Sequence, residues 1–254
     1  QKELGDEEIS FYAGVQYRHI VVAPASWEQA ECVPPHDLTG KRAVLPTGPA
    51  AGRLRALMEA SREVVGASAL EANQIWLWGQ GRQPSLPSFT SVHGVRAGLV
   101  SAVDLVRGLG VLAGIPITAV EGATGWYDTN YEGKRDACLQ ALADGADLFL
   151  IHVEASDEAG HAGDVQAKVE ALENWDSRIL GPLVDGLDAL GAWRLLLLPD
   201  HPTPLATRTH TSDPVPYLLV DSATRGSGGV YTEAATADAS AVPGHTLMSE
   251  LIVG

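Results

Sequence analysis

The sequence predicts an α/β fold in which a largely parallel sheet is flanked by helices. From residue 94 onward, strand-like and helix-like segments alternate, which is typical of parallel sheets covered on both faces. Two apolar runs, residues 148–153 and 193–198, have the continuous hydrophobicity of buried parallel strands. Both runs lead into polar residues that include aspartate and histidine. Because α/β sheets bind ligands at the carboxyl ends of their strands, these two ends are the predicted functional region.

The first third of the chain predicts a smaller α/β unit. Residues 8–23 alternate around a glycine and read as a strand pair. Residues 50–66 carry an apolar stripe at helical spacing. Residues 73–78 read as a buried strand that ends in a glycine-flanked loop presenting Arg82. The proline-containing residues 83–93 are expected to form a linker between domains.

The remaining elements follow from apolar periodicity and from capping residues. The helix that ends near residue 143 has an Asp-Thr-Asn run before it, which is a helix-start signal. Asp164 is expected near the start of a long helix. We expect strands at 95–100, 117–120, 148–153, 195–198 and 214–220, helices at 101–109, 128–143, 164–190 and 245–252, and a loop over residues 154–163.

Charge and composition exclude several classes of protein. Apolar residues make up 45% of the 254 residues, enough for a sizeable core, and the formal net charge is −15. That charge argues against a nucleic-acid binder. No apolar run reaches the roughly 18 residues that a membrane span needs. With two widely separated cysteines and no signal peptide, the expectation is a cytoplasmic protein.

Five polar residues near the strand ends form a candidate metal-binding set: Asp157, His161, Asp200, His201 and His210. Taken singly, each is more often a surface or hydrogen-bonded residue than a ligand. Their co-occurrence after two apolar strands favours a metal. Carboxylates with imidazoles suit zinc or manganese rather than a thiolate-bound metal.

These segments resemble the metal motifs of the alkaline phosphatase superfamily, in particular its cofactor-independent phosphoglycerate mutase branch of the archaeal type. The metal motifs are Asp-Glu-Ala-Gly-His at 157–161, Asp-His at 200–201 and Thr-His-Thr-Ser-Asp-Pro-Val-Pro at 209–216. Residues 11–18, 78–81 and 122–125 also resemble that subgroup. The resemblance covers nearly the whole chain.

The resemblance implies two divalent metal ions, with manganese or zinc expected and magnesium or cobalt as further possibilities. Asp157, His161 and His210 would bind one ion, and Asp200 and His201 the other. In the family the second ion also takes an N-terminal Asp and the nucleophilic Ser. No segment of this chain matches those two residues, so we expect the nucleophile to be absent from it and roughly the first third of the family's length to be missing.

The implied activity is phosphoryl transfer through a phosphoserine, interconverting 2-phosphoglycerate and 3-phosphoglycerate. Arg18 and Arg82 fall in segments that resemble substrate-binding parts of the family's inserted domain, and Arg107 is similar to a basic residue that reaches the phosphoryl group. Residues 1–88 are thus expected to be part of the inserted domain with its linker, and 89–254 the metal-binding core.

Three alternatives stay open at this point. The protein is a phosphoglycerate mutase, another phosphotransferase or phosphohydrolase on the same core, or a non-catalytic metal-binding fragment. The expected partner is a phosphorylated small molecule, without nucleic acid or membrane, and an oligomer is possible. A fold alone does not determine the substrate.

Overall fold

The computed structural model of the chain describes residues 2–14, 19–38, 40–69, 71–224, 226 and 228–253. It divides into two compact units, Gln1–Pro84 and Ser85–Gly254. Of the helices in the described ranges, none combines the length and apolarity that crossing a bilayer requires.

The first unit begins with a short antiparallel strand pair. Strand β1 (Ser10–Tyr12) pairs with β2 (Ile20–Val22), and Phe11 lies opposite Val21. Within the described residues this confirms the predicted pair, although each strand is only three residues long. Two 3-10 helices follow, Ala25–Gln29 and Pro35–Leu38.

Helix α1 (Ala51–Gly66) forms where the apolar stripe predicted it. Leu54 and Met58 lie one helical turn apart on the buried face, and Met58 is completely buried. Leu54 packs in a cluster with three buried residues from the preceding segments: Ile9, Trp27 and Ala30.

The strand predicted at residues 73–78 is wrong, since this segment has no ladder partner among the described residues. Side chains hold the segment instead. The Ile75 amide donates to Ser61 Oγ on α1 at 2.9 Å, and Trp76 Nε1 donates to the Val33 carbonyl oxygen at 2.9 Å. These two donors are therefore satisfied without a sheet partner.

The second unit has the predicted alternation of strands and helices, and the α/β class is confirmed. The linker expected at 83–93 is corrected, because its last five residues form a helix capped by the Ser88 side chain. In chain order the elements are α2 (Phe89–His93), β3 (Ala97–Val100), α3 (Asp104–Leu112), α4 (Tyr131–Ala143), β4 (Leu148–Ile151), α5 (Ala155–Ala162), α6 (Val165–Asn174), α7 (Gly181–Leu190), β5 (Arg194–Leu197), β6 (Leu218–Asp221) and α8 (Leu247–Val253).

The strands form small sheets of two. Strands β3 and β4 are parallel, with Val100 opposite Ile151. The strand expected at 117–120 contributes only a parallel bridge from Ile117 to Leu99. Strands β5 and β6 are antiparallel, which corrects the parallel pairing expected for residues 214–220. The reason is the connection: parallel pairing needs a crossover, usually through a helix, and residues 198–217 contain none.

The segment after β4 is helical, where a loop was expected. Helix α5 starts four residues after Ile151 and ends at Ala162, and Gly163 follows as its C-cap with a φ of +70°. Ala155 and Ala159 are completely buried, so small side chains let α5 lie close to its neighbours. The Asp164 side chain then caps α6, as the sequence indicated. A π-helical turn, Trp175–Leu180, joins α6 to α7 without a break.

An ion pair joins α4 to the π-helical turn. Arg178 contacts Glu132 through two hydrogen bonds, Nε to Oε1 at 2.6 Å and Nη2 to Oε2 at 2.7 Å. Hydrogen bonding from Arg178 lowers the pKa of Glu132 from 4.5 to about 2. The Arg178 guanidinium also lies over the Tyr131 ring, 4.8 Å from its centroid. This contact fixes one side of the core, whose buried members are Tyr131, Cys138, Ala155, Ala171, Ile179, Leu183 and Leu187.

We predict that this ion pair makes stability depend on pH in the acid range. The folded-state pKa of Glu132 lies below its unfolded value, so the stabilisation is present above pH 4.5 and is lost as pH falls towards 2. Both side chains are about two-fifths exposed, and solvent screening limits the effect to about 0.5–1 kcal/mol. Urea unfolding should show Glu132→Gln less stable than the parent at pH 7 and nearly equal to it at pH 2.5. Glu121→Gln, at an exposed glutamate in the same unit, is the control. A gap that stays constant with pH would contradict this prediction.

Candidate metal centre

Helix α5 places two of the predicted ligands on one face. Asp157 and His161 are four residues apart, so their side chains lie one above the other along the helix. His161 Nε2 is 3.4 Å from Asp157 Oδ2. The four-residue spacing of Asp157 and His161 is therefore that of one helical face, whereas the sequence alone predicts a loop here.

His210, in the segment after β5, completes a group of three. Its Nε2 lies 3.5 Å from Asp157 Oδ1 and 3.1 Å from His161 Nε2. One ligand atom from each of the three residues lies within 4.8 Å of the others. Two imidazole nitrogens and a carboxylate oxygen therefore converge on one point from two separate parts of the chain.

The orientation of His161 is fixed by a backbone carbonyl. His161 Nδ1 lies 3.0 Å from the Arg208 carbonyl oxygen. Because a carbonyl can only accept, Nδ1 carries the hydrogen and the Nε2 lone pair is directed at Asp157 and His210. Arg208 has a φ of +53°, and its guanidinium lies against Gly163, where a Cβ would be 2.5 Å from Nε.

The donor set fits a divalent ion. Imidazole nitrogen and carboxylate oxygen are ligands that zinc and manganese accept. Two Nε2 atoms 3.1 Å apart repel each other through their lone pairs unless a cation or a proton lies between them. The carboxylate beside them adds negative charge, so the geometry favours a cation over two neutral rings.

Two residues that the sequence did not point to hold this centre together. The hydroxyl of Thr203 donates to Asp157 Oδ1, and Lys168 Nζ donates to the Thr203 carbonyl oxygen at 2.7 Å. Thr203 is only 5% exposed. Neither residue lies in a recognisable pattern, because their positions depend on how the segment after β5 lies against α5 and α6.

Asp200 and His201 lie together beside the group of three. The His201 amide donates to Asp200 Oδ1 at 3.0 Å, and His201 Nε2 is 3.3 Å from Asp200 Oδ2. The His201 and His210 rings are 3.8 Å apart between centroids. Among the described residues, only Asp157, His161 and His210 form a group of three or more potential ligands. The second predicted set is therefore a pair here.

His152, which follows β4, also lies near these carboxylates. Its Nδ1 is 3.0 Å from Ser101 Oγ. Burial lowers the pKa of His152, while the charges of Asp200 and Asp157 act in the opposite direction. The sequence places His152 inside the apolar run 148–153 and predicts a core histidine, whereas strand β4 ends at Ile151 and leaves His152 just beyond it.

The predicted substrate-binding arginines have separate environments. Arg18 lies outside the described residues. Arg82, in the first unit, is 70% exposed and forms two 2.6 Å hydrogen bonds to Glu28, from Nε and from Nη2. Arg107 lies on α3, and its Nη1 is 3.8 Å from Asp104 Oδ1.

Comparison with known families agrees with the site geometry. Residues 49–249 match the profile described as the metalloenzyme superfamily, which is well over half of the chain. The chain belongs to the metalloenzyme superfamily. Residues 1–70 match a second profile, described as 2,3-bisphosphoglycerate-independent phosphoglycerate mutase. Superfamily membership supports the use of a divalent metal.

Curated relatives confirm the resemblance inferred from the motifs. A probable 2,3-bisphosphoglycerate-independent phosphoglycerate mutase of Geobacter sulfurreducens is 44% identical over 246 residues, which are 91% of this chain and 60% of that protein. A 2,3-bisphosphoglycerate-independent phosphoglycerate mutase of Methanothrix thermoacetophila is 48% identical over 224 residues, 83% of this chain and 57% of that protein. This superfamily member thus spans less than two thirds of the length of these relatives.

Solved structures agree on the fold. A protein from Pyrococcus horikoshii is similar at a TM-score of 0.60 and 30% identity, over 65% of this chain and 50% of that one. A cofactor-independent phosphoglycerate mutase from Thermoplasma acidophilum is similar at a TM-score of 0.53 and 18% identity, over 99% of this chain and 67% of that one. The second likeness supports the alkaline phosphatase-like fold.

We predict that Gly160 on α5 cannot carry a side chain. A Cβ there would lie 2.5 Å from the Thr203 carbonyl oxygen and 2.9 Å from Thr203 Cγ2. Gly160→Ala should therefore push the two segments apart and lower the free energy of unfolding by about 1–3 kcal/mol. Urea unfolding monitored by circular dichroism measures the effect.

Gly108 provides the matched control, because it lies in helix α3 and a Cβ there would meet nothing within 4 Å. Gly108→Ala should be neutral or stabilise the protein by about 0.5–1 kcal/mol. Equal stability of the two variants would show that α5 and the Thr203 segment are not in close contact.

Proposed function

We propose that the protein catalyses metal-dependent phosphoryl transfer that interconverts 2-phosphoglycerate and 3-phosphoglycerate. The observation that carries this proposal is the convergence of Asp157, His161 and His210 at one point. The names of relatives that are 44% and 48% identical supply the substrate. In this reading the protein is an isomerase of glycolysis.

The proposed ligands form two sets. Asp157, His161 and His210 hold one divalent ion, and Asp200 and His201 contribute to a second. Manganese or zinc suits these donors, and magnesium or cobalt would also accept oxygen and nitrogen ligands. Bound divalent ions lower the pKa of a hydroxyl nucleophile and neutralise charge on a transferring phosphoryl group.

The chain's own residues orient these ligands before any substrate binds. The Arg208 carbonyl keeps the hydrogen of His161 on Nδ1. Asp157 and His161 are about one quarter exposed, so water screens their interaction only in part. We propose that the phosphoryl group passes through a phosphoserine. Its serine would come from the part of the relatives' length that this chain does not span, which is 40% of the first relative.

Residues 1–88 are proposed to bind the substrate and 89–254 to bind metal. The division into compact units at Pro84 and Ser85 supports two separate roles. Arg18, Arg82 and Arg107 are the proposed substrate contacts. Arg82 already binds a carboxylate in a forked geometry, with both oxygens of Glu28. A substrate carboxylate or phosphate would replace Glu28 at the same guanidinium.

A second candidate is another phosphotransferase or phosphohydrolase of the superfamily. The profile that covers residues 49–249 describes the whole superfamily, and the profile specific to the mutase covers only residues 1–70. This difference favours the second candidate. The two functions differ in the fate of the phosphoryl group. A mutase returns it to the substrate and must exclude water, whereas a hydrolase releases inorganic phosphate.

We predict that removing any one ligand of the first set abolishes tight metal binding. Asp157→Asn, His161→Ala and His210→Ala should each weaken Mn²⁺ or Zn²⁺ binding by more than about tenfold, since even outer-shell changes cost 10–100-fold. Isothermal titration calorimetry measures the affinities. His245→Ala, at an exposed histidine on a 3-10 helix, is the control. Unchanged affinity in all three ligand variants would rule out this site.

We predict that the metal-loaded protein, extended by the segment proposed to supply the serine, converts 3-phosphoglycerate to 2-phosphoglycerate without added 2,3-bisphosphoglycerate. An enolase-coupled assay detects the product, and a parallel assay detects inorganic phosphate. His161→Ala should lose the mutase activity and His245→Ala should keep it. Release of phosphate without 2-phosphoglycerate would support the hydrolase instead, and no turnover of either kind would refute the mutase proposal.

A further inference from the structure

We propose that Thr203 is a positioning residue of the metal centre, which fixes the orientation of the Asp157 carboxylate and links the two ligand sets. The inference rests on the metal ligands proposed above and goes beyond them, because Thr203 binds neither metal nor substrate in this role. It acts through the hydrogen bond from its hydroxyl to Asp157 Oδ1.

The two oxygens of Asp157 have different neighbours. Oδ1 accepts the Thr203 hydroxyl and lies 3.5 Å from His210 Nε2, while Oδ2 lies 3.4 Å from His161 Nε2. The torsion that rotates an aspartate carboxylate is broad and only weakly restrained by its own chain. A hydroxyl that donates to one oxygen therefore decides which oxygen faces which imidazole.

Thr203 itself has little freedom to move. Its side chain is buried, and a β-branched residue has a restricted first torsion. Its carbonyl oxygen accepts from Lys168 Nζ on α6 at 2.7 Å. Its methyl group lies against Gly160, where even a Cβ would come within 2.9 Å. The backbone carbonyl and the methyl group are each held by a different contact, so the hydroxyl is presented to Asp157 in one position.

The same hydroxyl oxygen reaches the second ligand set. It lies 3.4 Å from His201 Nδ1. Since the single hydroxyl hydrogen is given to Asp157, the oxygen can only accept towards His201. That contact favours hydrogen on His201 Nδ1 and leaves Nε2 as the ligand atom. It is the same tautomer that the Arg208 carbonyl imposes on His161.

The test compares pairs of variants that differ only in the hydroxyl. The first pair is the parent and Thr203→Val, which have the same side-chain shape and differ in the hydroxyl. The second pair is Thr203→Ser and Thr203→Ala, which differ in the hydroxyl and both lack the methyl group of threonine. Affinity for MnCl₂ and ZnCl₂ is measured by isothermal titration calorimetry. The visible absorption of the Co²⁺-loaded protein reports ligand geometry and is independent of activity. Far-UV circular dichroism of the metal-free proteins shows whether each variant folds.

We expect each loss of the hydroxyl to weaken metal binding by about 10–100-fold and to change the Co²⁺ spectrum, because outer-shell partners orient the ligands. Thr203→Ser should keep most of the parent affinity. Thr207→Val is the control: Thr207 is exposed in the same segment, and its hydroxyl contacts the carbonyl oxygens of Pro204 and Thr209 at 3.2 and 3.1 Å.

Parent-like affinity and spectrum in both hydroxyl-free variants would overturn the role of Thr203 while leaving the metal site intact. If Thr203→Val does not fold, the comparison of Thr203→Ser with Thr203→Ala decides the question. Absence of metal binding in the parent would overturn both this inference and the ligand assignment. Loss of affinity in Thr207→Val to the same degree would show a general effect of the segment, and would also refute a specific role for Thr203.

Discussion

The candidate site depends on the close approach of helix α5 to the segment that follows β5. Gly160 and Thr203 meet there at a distance that excludes a Cβ. This contact brings the pair on α5, Asp157 and His161, within reach of His210. Without it, two ligands on a helix would face solvent, and the third would lie on a separate part of the chain.

The charges around Asp157, His161 and His210 favour the binding of a cation. The chain carries 32 acidic and 17 basic residues. Several arginines are already engaged by carboxylates, as Arg82 is by Glu28, Arg178 by Glu132 and Arg194 by Asp221. At the site, two imidazole nitrogens face a carboxylate. A divalent ion bound there would add positive charge beside the Asp157 carboxylate, and that charge would attract an anionic ligand.

Local patterns predicted most elements because local physics determines them. The apolar stripe of α1 and the Asn130 and Asp164 caps are properties of neighbouring residues, and the structure confirms them. The predictions that are wrong concern segments whose structure depends on contacts with residues far away in the sequence. Residues 73–78 join no sheet in the described part of the chain, and the Ile75 amide and the Trp76 indole bind Ser61 and Val33 instead. Helix α5 was missed because its glycine and small residues resemble a loop, while burial of Ala155 and Ala159 stabilises the helix.

The sequence by itself determined the ligand types, their order along the chain and the four-residue spacing of Asp157 and His161, since these are covalent properties. Together with the apolar strands before them, they were enough to indicate a metal-binding α/β protein. Only the tertiary structure decided that His210 joins that pair, that Arg208 orients His161 and that Thr203 donates to Asp157. These contacts join residues 46 or more positions apart. No local pattern encodes them, because they arise when helices and strands pack against one another.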